Sequence, residues 1–179
     1  MGQVGQRIEN PVTGEVVVFE ATTADTRGAL LRFAYTVPGR YVIAPPHAHR
    51  RQHERTEVIS GQLSGRVAGR RRVAGPRDVV TVAPGVVHAW RNASAERLHV
   101  VVEFRPALQI EAMFEQLFSL AWTGKTNARG IPPPLHMALL AYDYCDEAAI
   151  PLLPRAMQRA ILAGPAALAR RRGYRSSTT

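Results

Sequence analysis

The chain has 179 residues, one cysteine (Cys145) and a formal charge of +9, and 46% of it is hydrophobic. That length and apolar content fit one compact domain with an appendage and exclude an intrinsically disordered chain. The lone cysteine excludes an internal disulfide framework and any multi-thiolate zinc or iron–sulfur centre.

Residues 1–11 carry no apolar run of the secretory kind, and no stretch is long and charge-free enough to span a bilayer. Cytoplasmic residence is therefore expected by elimination. Arginine supplies nearly all of the positive charge, in part through two short runs, Arg70-Arg71-Arg72 and Arg170-Arg171-Arg172. Without a helix-turn-helix pattern or an aromatic-rich basic face, these runs read as solvated surface. Neither nucleic acid nor membrane is expected as a partner.

Up to Pro106 the pattern is that of an all-β protein. Short apolar or β-branched runs recur at 16–19, 30–37, 41–43, 58–59, 79–82 and 98–104. Turn residues separate them at Thr13-Gly14, Pro38-Gly39, Ser64-Gly65, Ala74-Gly75-Pro76 and Pro84-Gly85. Many short strands with regular turn signals predict a sandwich or a barrel. After Pro106 the period changes. Ile110, Met113, Phe114, Leu117, Phe118 and Ala121 fall on one face of a helix that Gly124 ends. A rigid connector, Ile131-Pro132-Pro133-Pro134, precedes a second helix over 135–145. Pro151 and Pro154 open a third through Met157, Ile161 and Leu162, with a kink expected at Pro165. The layout is a β unit over residues 1–106 and a helical extension over residues 107–179. That extension has too little core to stand alone and is expected to pack on the β unit.

Chemistry concentrates in His47-Ala48-His49-Arg50-Arg51-Gln52-His53-Glu54, followed by a strand that ends at Gly61. Residues two apart on a strand point the same way, so His47 and His49 can offer both imidazoles to one interior point. Glu54 opens the next strand. In a second piece, Pro84-Gly85-Val86-Val87-His88-Ala89-Trp90-Arg91-Asn92, a tight turn delivers His88 inward onto another strand. Three imidazoles and one carboxylate suit a divalent iron, manganese, nickel, copper, cobalt or zinc ion. His53 has the opposite parity to Glu54 and is expected at the surface. His136 falls on a helix with no partner motif, and Cys145 reads as a buried small hydrophobe.

These two pieces resemble the two motifs of the cupin superfamily. His47, His49, Glu54 and Gly61 match the first, His-x-His-x4-Glu-x6-Gly. Pro84-Gly85, His88 and Asn92 match the second. Gly39 lies two residues farther from His47 than usual, Arg77 replaces a common Gly and Ala83 a common Pro, but all four ligand positions are intact. The resemblance implies a mainly β fold, a double-stranded β-helix (jelly-roll) barrel with a metal held inside by His47, His49, Glu54 and His88. It also implies pairing through the sheets into a homodimer. Nearly the full length is similar to a widespread bacterial group of single-cupin proteins, through Ile8-Glu9-Asn10-Pro11-Val12-Thr13-Gly14-Glu15, Gly124-Lys125-Thr126-Asn127 and Pro134-Leu135. That likeness implies the layout and no single activity.

Strand parity extends the site to a largely apolar substrate pocket of Tyr41, Ile43, Thr56, Val58, Trp90, Val102 and Phe104, which suits a small apolar or aromatic organic substrate. In the last strand Leu98, Val100, Val102 and Phe104 form the inner face, and His99, Glu103 and Arg105 the outer one. Four protein ligands on a six-coordinate ion leave about two positions open. The leading expectation is a dioxygenase-like oxidation with iron as the metal, with Glu54 able to shift between ligand and proton acceptor. A non-redox isomerase, cyclase or lyase is the alternative, and a non-catalytic ligand- or partner-binding module the third. The helical extension is read as structural cover or as a lid over the site.

Overall fold

The computed structural model describes residues 2–177. Ten strands come first: β1 (Arg7–Glu9), β2 (Val16–Ala21), β3 (Leu31–Val37), β4 (Tyr41–His47), β5 (His53–Ser60), β6 (Leu63–Val67), β7 (Arg70–Ala74), β8 (Val79–Val82), β9 (His88–Asn92) and β10 (Leu98–Arg105). Three helices follow: α1 (Ile110–Trp122), α2 (Pro134–Asp143) and α3 (Arg155–Arg171), with Pro165 inside α3. None of them is long and apolar enough to cross a membrane.

The strands form two antiparallel sheets, a six-stranded one ordered β1-β2-β3-β10-β5-β8 and a four-stranded one ordered β4-β9-β6-β7. Alternation builds the core between them. Leu31, Phe33, Tyr35 and Val37 of β3 are buried while their neighbours are only half-buried, and Leu98, Val100, Val102 and Phe104 of β10 join the same apolar cluster as Trp90 and Leu63. Burying such a side chain contributes about 1.5–3 kcal/mol. On the outer face of β10, His99 and Arg105 are exposed, whereas Glu103 is covered by Arg32, Arg55 and Arg105.

The expected barrel is not formed. Neither sheet closes on itself: β1 and β8 edge the larger sheet, β4 and β7 the smaller one. The mainly β expectation also gives way to a mixed β and α chain, because the extension supplies part of the core. Phe114 of α1 lies 5.3 Å from Phe33 and 5.8 Å from Tyr35, ring centre to ring centre. Ile110 and Phe118 are buried in the same cluster. α1 thus covers apolar side chains of β3, an interior strand of the larger sheet. The arginine run 70–72 forms most of β7, an edge strand, and is exposed there. A charged edge resists pairing with another chain.

α2 and α3 pack on each other through Leu139, Ala166 and Ala169, and Cys145 beside them is buried and free. His136 is buried, with Nε2 bonded to the Arg175 carbonyl at 2.9 Å.

Candidate metal centre

Register delivers the four candidate ligands to one end of the two sheets. Phe104 pairs with Glu54 across β10 and β5, and His47 pairs with His88 across β4 and β9. Inward parity in β5 buries Glu54, Thr56 and Val58, and in β9 it buries His88, Trp90 and Asn92. His53 is exposed, as its parity requires. β4 departs from simple alternation. Its register against β9 shifts twice, between Val42 and Ala44 and again between Ala44 and His47, where the chain takes up Pro45 and Pro46. Proline cannot donate to a ladder, and a bulge accommodates it. Ala44 sits opposite Trp90.

The donor atoms converge. His47 Nε2 lies 3.3 Å from His49 Nε2, and Glu54 Oε2 lies 3.1 Å from His49 Nε2 and 3.0 Å from His88 Nε2. One ligand atom from each of the four residues falls within 4.8 Å of all the others. His49, Glu54 and His88 are buried and His47 is half-buried. Ligands bonded at about 2.0–2.2 Å stand roughly 3 Å apart when adjacent on one ion, the spacing seen here.

The second ring nitrogens support the same use. His47 Nδ1 lies 2.9 Å from the Pro45 carbonyl and His88 Nδ1 lies 3.0 Å from the Val86 carbonyl. A carbonyl can only accept, so each Nδ1 carries a proton, which leaves Nε2 as the nitrogen that would face an ion. His49 Nδ1 is buried without a partner among the described residues. Three Nε2 atoms and a carboxylate oxygen converge on one point, and this donor set fits a divalent transition metal.

Without an ion, the group holds protons unevenly. Burial, then the neighbouring His88 and His49, push His47 down to about 4. Burial would also lower His88, but the hydrogen bond and charge of Glu54 outweigh it and hold His88 above its ordinary value. For Glu54, burial favours the neutral acid, yet the hydrogen bonds and charges of His49 and His88 prevail and keep it ionised well below the usual carboxylate range.

Glu54 is held at both ends. Its Oε1 accepts from Thr56 Oγ1 at 3.1 Å and from Trp90 Nε1 at 3.0 Å. Thr56 and Trp90, expected to line a pocket, thus anchor the carboxylate. Val58 and Val102 are buried in the core, and Phe104 lies 5.0 Å from the His49 ring, edge to face. Ile43 is half-buried against the core. Tyr41 donates to Glu15 Oε2 at 2.8 Å and faces a surface hollow of about 300 Å³ with Arg40, Val42 and Arg91, away from the four ligands.

Sequence reasoning missed the residues that hold the ligand loop. Gln52 is fully buried and donates to the Pro106 and Ala107 carbonyls at 3.1 and 2.8 Å. Gly85, in its left-handed turn, donates to the His49 carbonyl at 2.7 Å. Arg50 reaches into the helical tail. Such partners are distant in sequence, and Gln52, inside the polar run Arg50-Arg51-Gln52-His53-Glu54, gives no local hint of one.

Residues 34–104 match the family model Cupin_2, described as a cupin domain. No curated protein matches the chain. Among solved structures, it is similar to an RmlC-like cupin from Shewanella frigidimarina at 20% identity and a TM-score of 0.49, over 61% of this chain and 90% of that one. A predicted oxalate decarboxylase from Thermotoga maritima matches at 17% identity and a TM-score of 0.49, over 56% and 90%. KdgF from a Halomonas species matches at 20% identity and a TM-score of 0.45, over 51% and 80%. The stretch that carries all four candidate ligands is a cupin domain, and a C-terminal helical region, α1 to α3, lies beyond it.

Proposed function

We propose that the chain is a metal-dependent enzyme that carries out a non-redox isomerisation, cyclisation or elimination on a small organic substrate presented through an oxygen atom. The convergence of three imidazole nitrogens and one ionised carboxylate oxygen carries this reading. His47, His49, Glu54 and His88 would hold one divalent ion, which when bound supplies Lewis acidity to polarise a carbonyl or stabilise an enolate.

The protein's own part is largely electrostatic. One carboxylate and three neutral rings offset only part of a divalent charge, so the site favours an anionic or enolisable oxygen. Thr56 and Trp90 fix the Glu54 carboxylate in place. Held ionised well below neutrality, it is a poor proton acceptor and is better suited to the role of fixed ligand. His47 is the half-buried member of the four, so substrate would approach past its ring. Phe104, edge to face against His49, gives the site an apolar neighbour, which suits a small hydrophobic substrate.

Dioxygenase-like oxidation is the second reading, favoured by a donor set that suits iron as well as redox-inert ions. Protein loaded with zinc or with iron, assayed on enolisable carbonyl and phenolic compounds with and without dioxygen, separates the two. Turnover retained with zinc and without dioxygen is expected. Turnover that demands iron and dioxygen would establish oxidation instead, and metal uptake with no turnover would leave a binding module.

A further inference from the structure

His47 closes β4, but His49 lies beyond the strand. The alternation that turns both rings to one side is continued by a different partner. Ala48, between the two histidines, forms an isolated antiparallel bridge with Ala149 in the α2–α3 connection. Ala48 N donates to Ala149 O at 3.1 Å and Ala149 N donates to Ala48 O at 2.8 Å. Arg50 N donates to Asp146 O at 2.9 Å. The Arg50 guanidinium then spreads over the tail: Nε to Cys145 O at 3.1 Å, and Nη2 to Leu153 O at 2.8 Å and to Gln158 Oε1 at 2.9 Å.

Gln158 is fully buried in α3, and its amide both accepts and donates. Oε1 also accepts from Ile150 N at 3.1 Å, and Nε2 donates to Ala141 O in α2 at 3.0 Å. α2 has no basic residue in its last turn, and Arg50 places a cation just past that end, where the helix dipole favours one. One side chain adjacent to a candidate ligand therefore ties together α2, α3 and the segment between them.

We propose that the tail is a positioning device for the metal centre, with Arg50 and Gln158 as a clamp that fixes the backbone of residues 47–50 and so the aim of His47 and His49. This rests on the proposal that these histidines bind a cation. It makes the helical extension a working part of the centre, acting from behind the ligands. Arg50 and Gln158 are positioning residues; neither is placed to touch the ion.

The test uses the full-length protein with Co2+ as the probe, followed by its visible absorption. Arg50→Met and Gln158→Met are compared with Arg170→Met, which breaks a tail ion pair (Arg170 Nη2 to Asp143 Oδ1, 2.6 Å) without touching residues 47–50. Loss of partners that orient metal ligands typically weakens binding about 10–100-fold, and that loss is expected for both clamp variants but not for Arg170→Met. Amide exchange at Ala48 and Arg50 in the metal-free protein is expected to quicken in both clamp variants and not in Arg170→Met. Affinity within twofold of wild type in both clamp variants would overturn the proposal, as would equal weakening in Arg170→Met. Wild-type protein that takes up no Co2+ would instead sink the metal reading, while the exchange data would still report on the clamp.

Discussion

Replacing Trp90 with Phe tests whether the Glu54 carboxylate is held as the geometry requires. The indole Nε1 donates to Glu54 Oε1 at 3.0 Å, and both residues are buried. A hydrogen bond to a buried charge is worth about 1.5–3 kcal/mol. The swap also removes roughly 40 Å³ of ring, which adds about 1 kcal/mol if the site does not collapse. A loss of about 2.5–4 kcal/mol is therefore expected in urea unfolding of the metal-free protein. Thr56→Val removes only the second donor to Oε1 at nearly constant volume, so its cost is expected to be smaller, about 1–2 kcal/mol. Both donors serve one oxygen, so the double variant should depart from additivity. A Trp90→Phe cost below about 1 kcal/mol, with strictly additive behaviour, would refute the claim that these two side chains anchor the carboxylate.

The remaining expectations concern protons and packing. In the metal-free protein His47 takes its proton only near pH 4, against 6.5 in an unfolded chain. The unfolded state holds the extra proton between those values, so stability should rise with pH across that window and level off above it. His88 works the other way: its contribution is present below 6.5 and lost as pH rises through its raised folded value. Urea midpoints from pH 4 to 8 check both, and His47→Gln should flatten the lower limb. Phe114→Ala removes the ring that covers Phe33 and Tyr35 and should cost about 2–4 kcal/mol in thermal or urea unfolding. A loss under about 1 kcal/mol would mean that α1 is not part of the core.

The ligand set was legible in the sequence because each half of it is local. His47 and His49 share a parity, Glu54 opens a strand that Gly61 ends, and a turn at Pro84-Gly85 presents His88. The inner face of β10 was legible for the same reason, since strand alternation is a short-range signal. What failed was long-range. Nothing in the period of β3 announces that Phe33 meets Phe114 of a helix, and nothing in any one strand's pattern announces whether its sheet closes. The β4 register shifts both at Ile43 and across Pro45 and Pro46, so the simple parity count from His47 back to Ile43 does not hold. Thr56 and Trp90 were placed on the correct faces, but their polar atoms turned out to serve Glu54. The bridge from Ala48 to Ala149 spans about a hundred residues and has no periodic trace at all.

Elemental analysis of purified protein tests the central claim most directly. Metal content of one divalent ion per chain is expected, falling towards none in His47→Ala, His49→Ala, Glu54→Ala and His88→Ala while each variant stays folded. Content that is negligible in the wild type, or unchanged when His88 or Glu54 is removed, would contradict it.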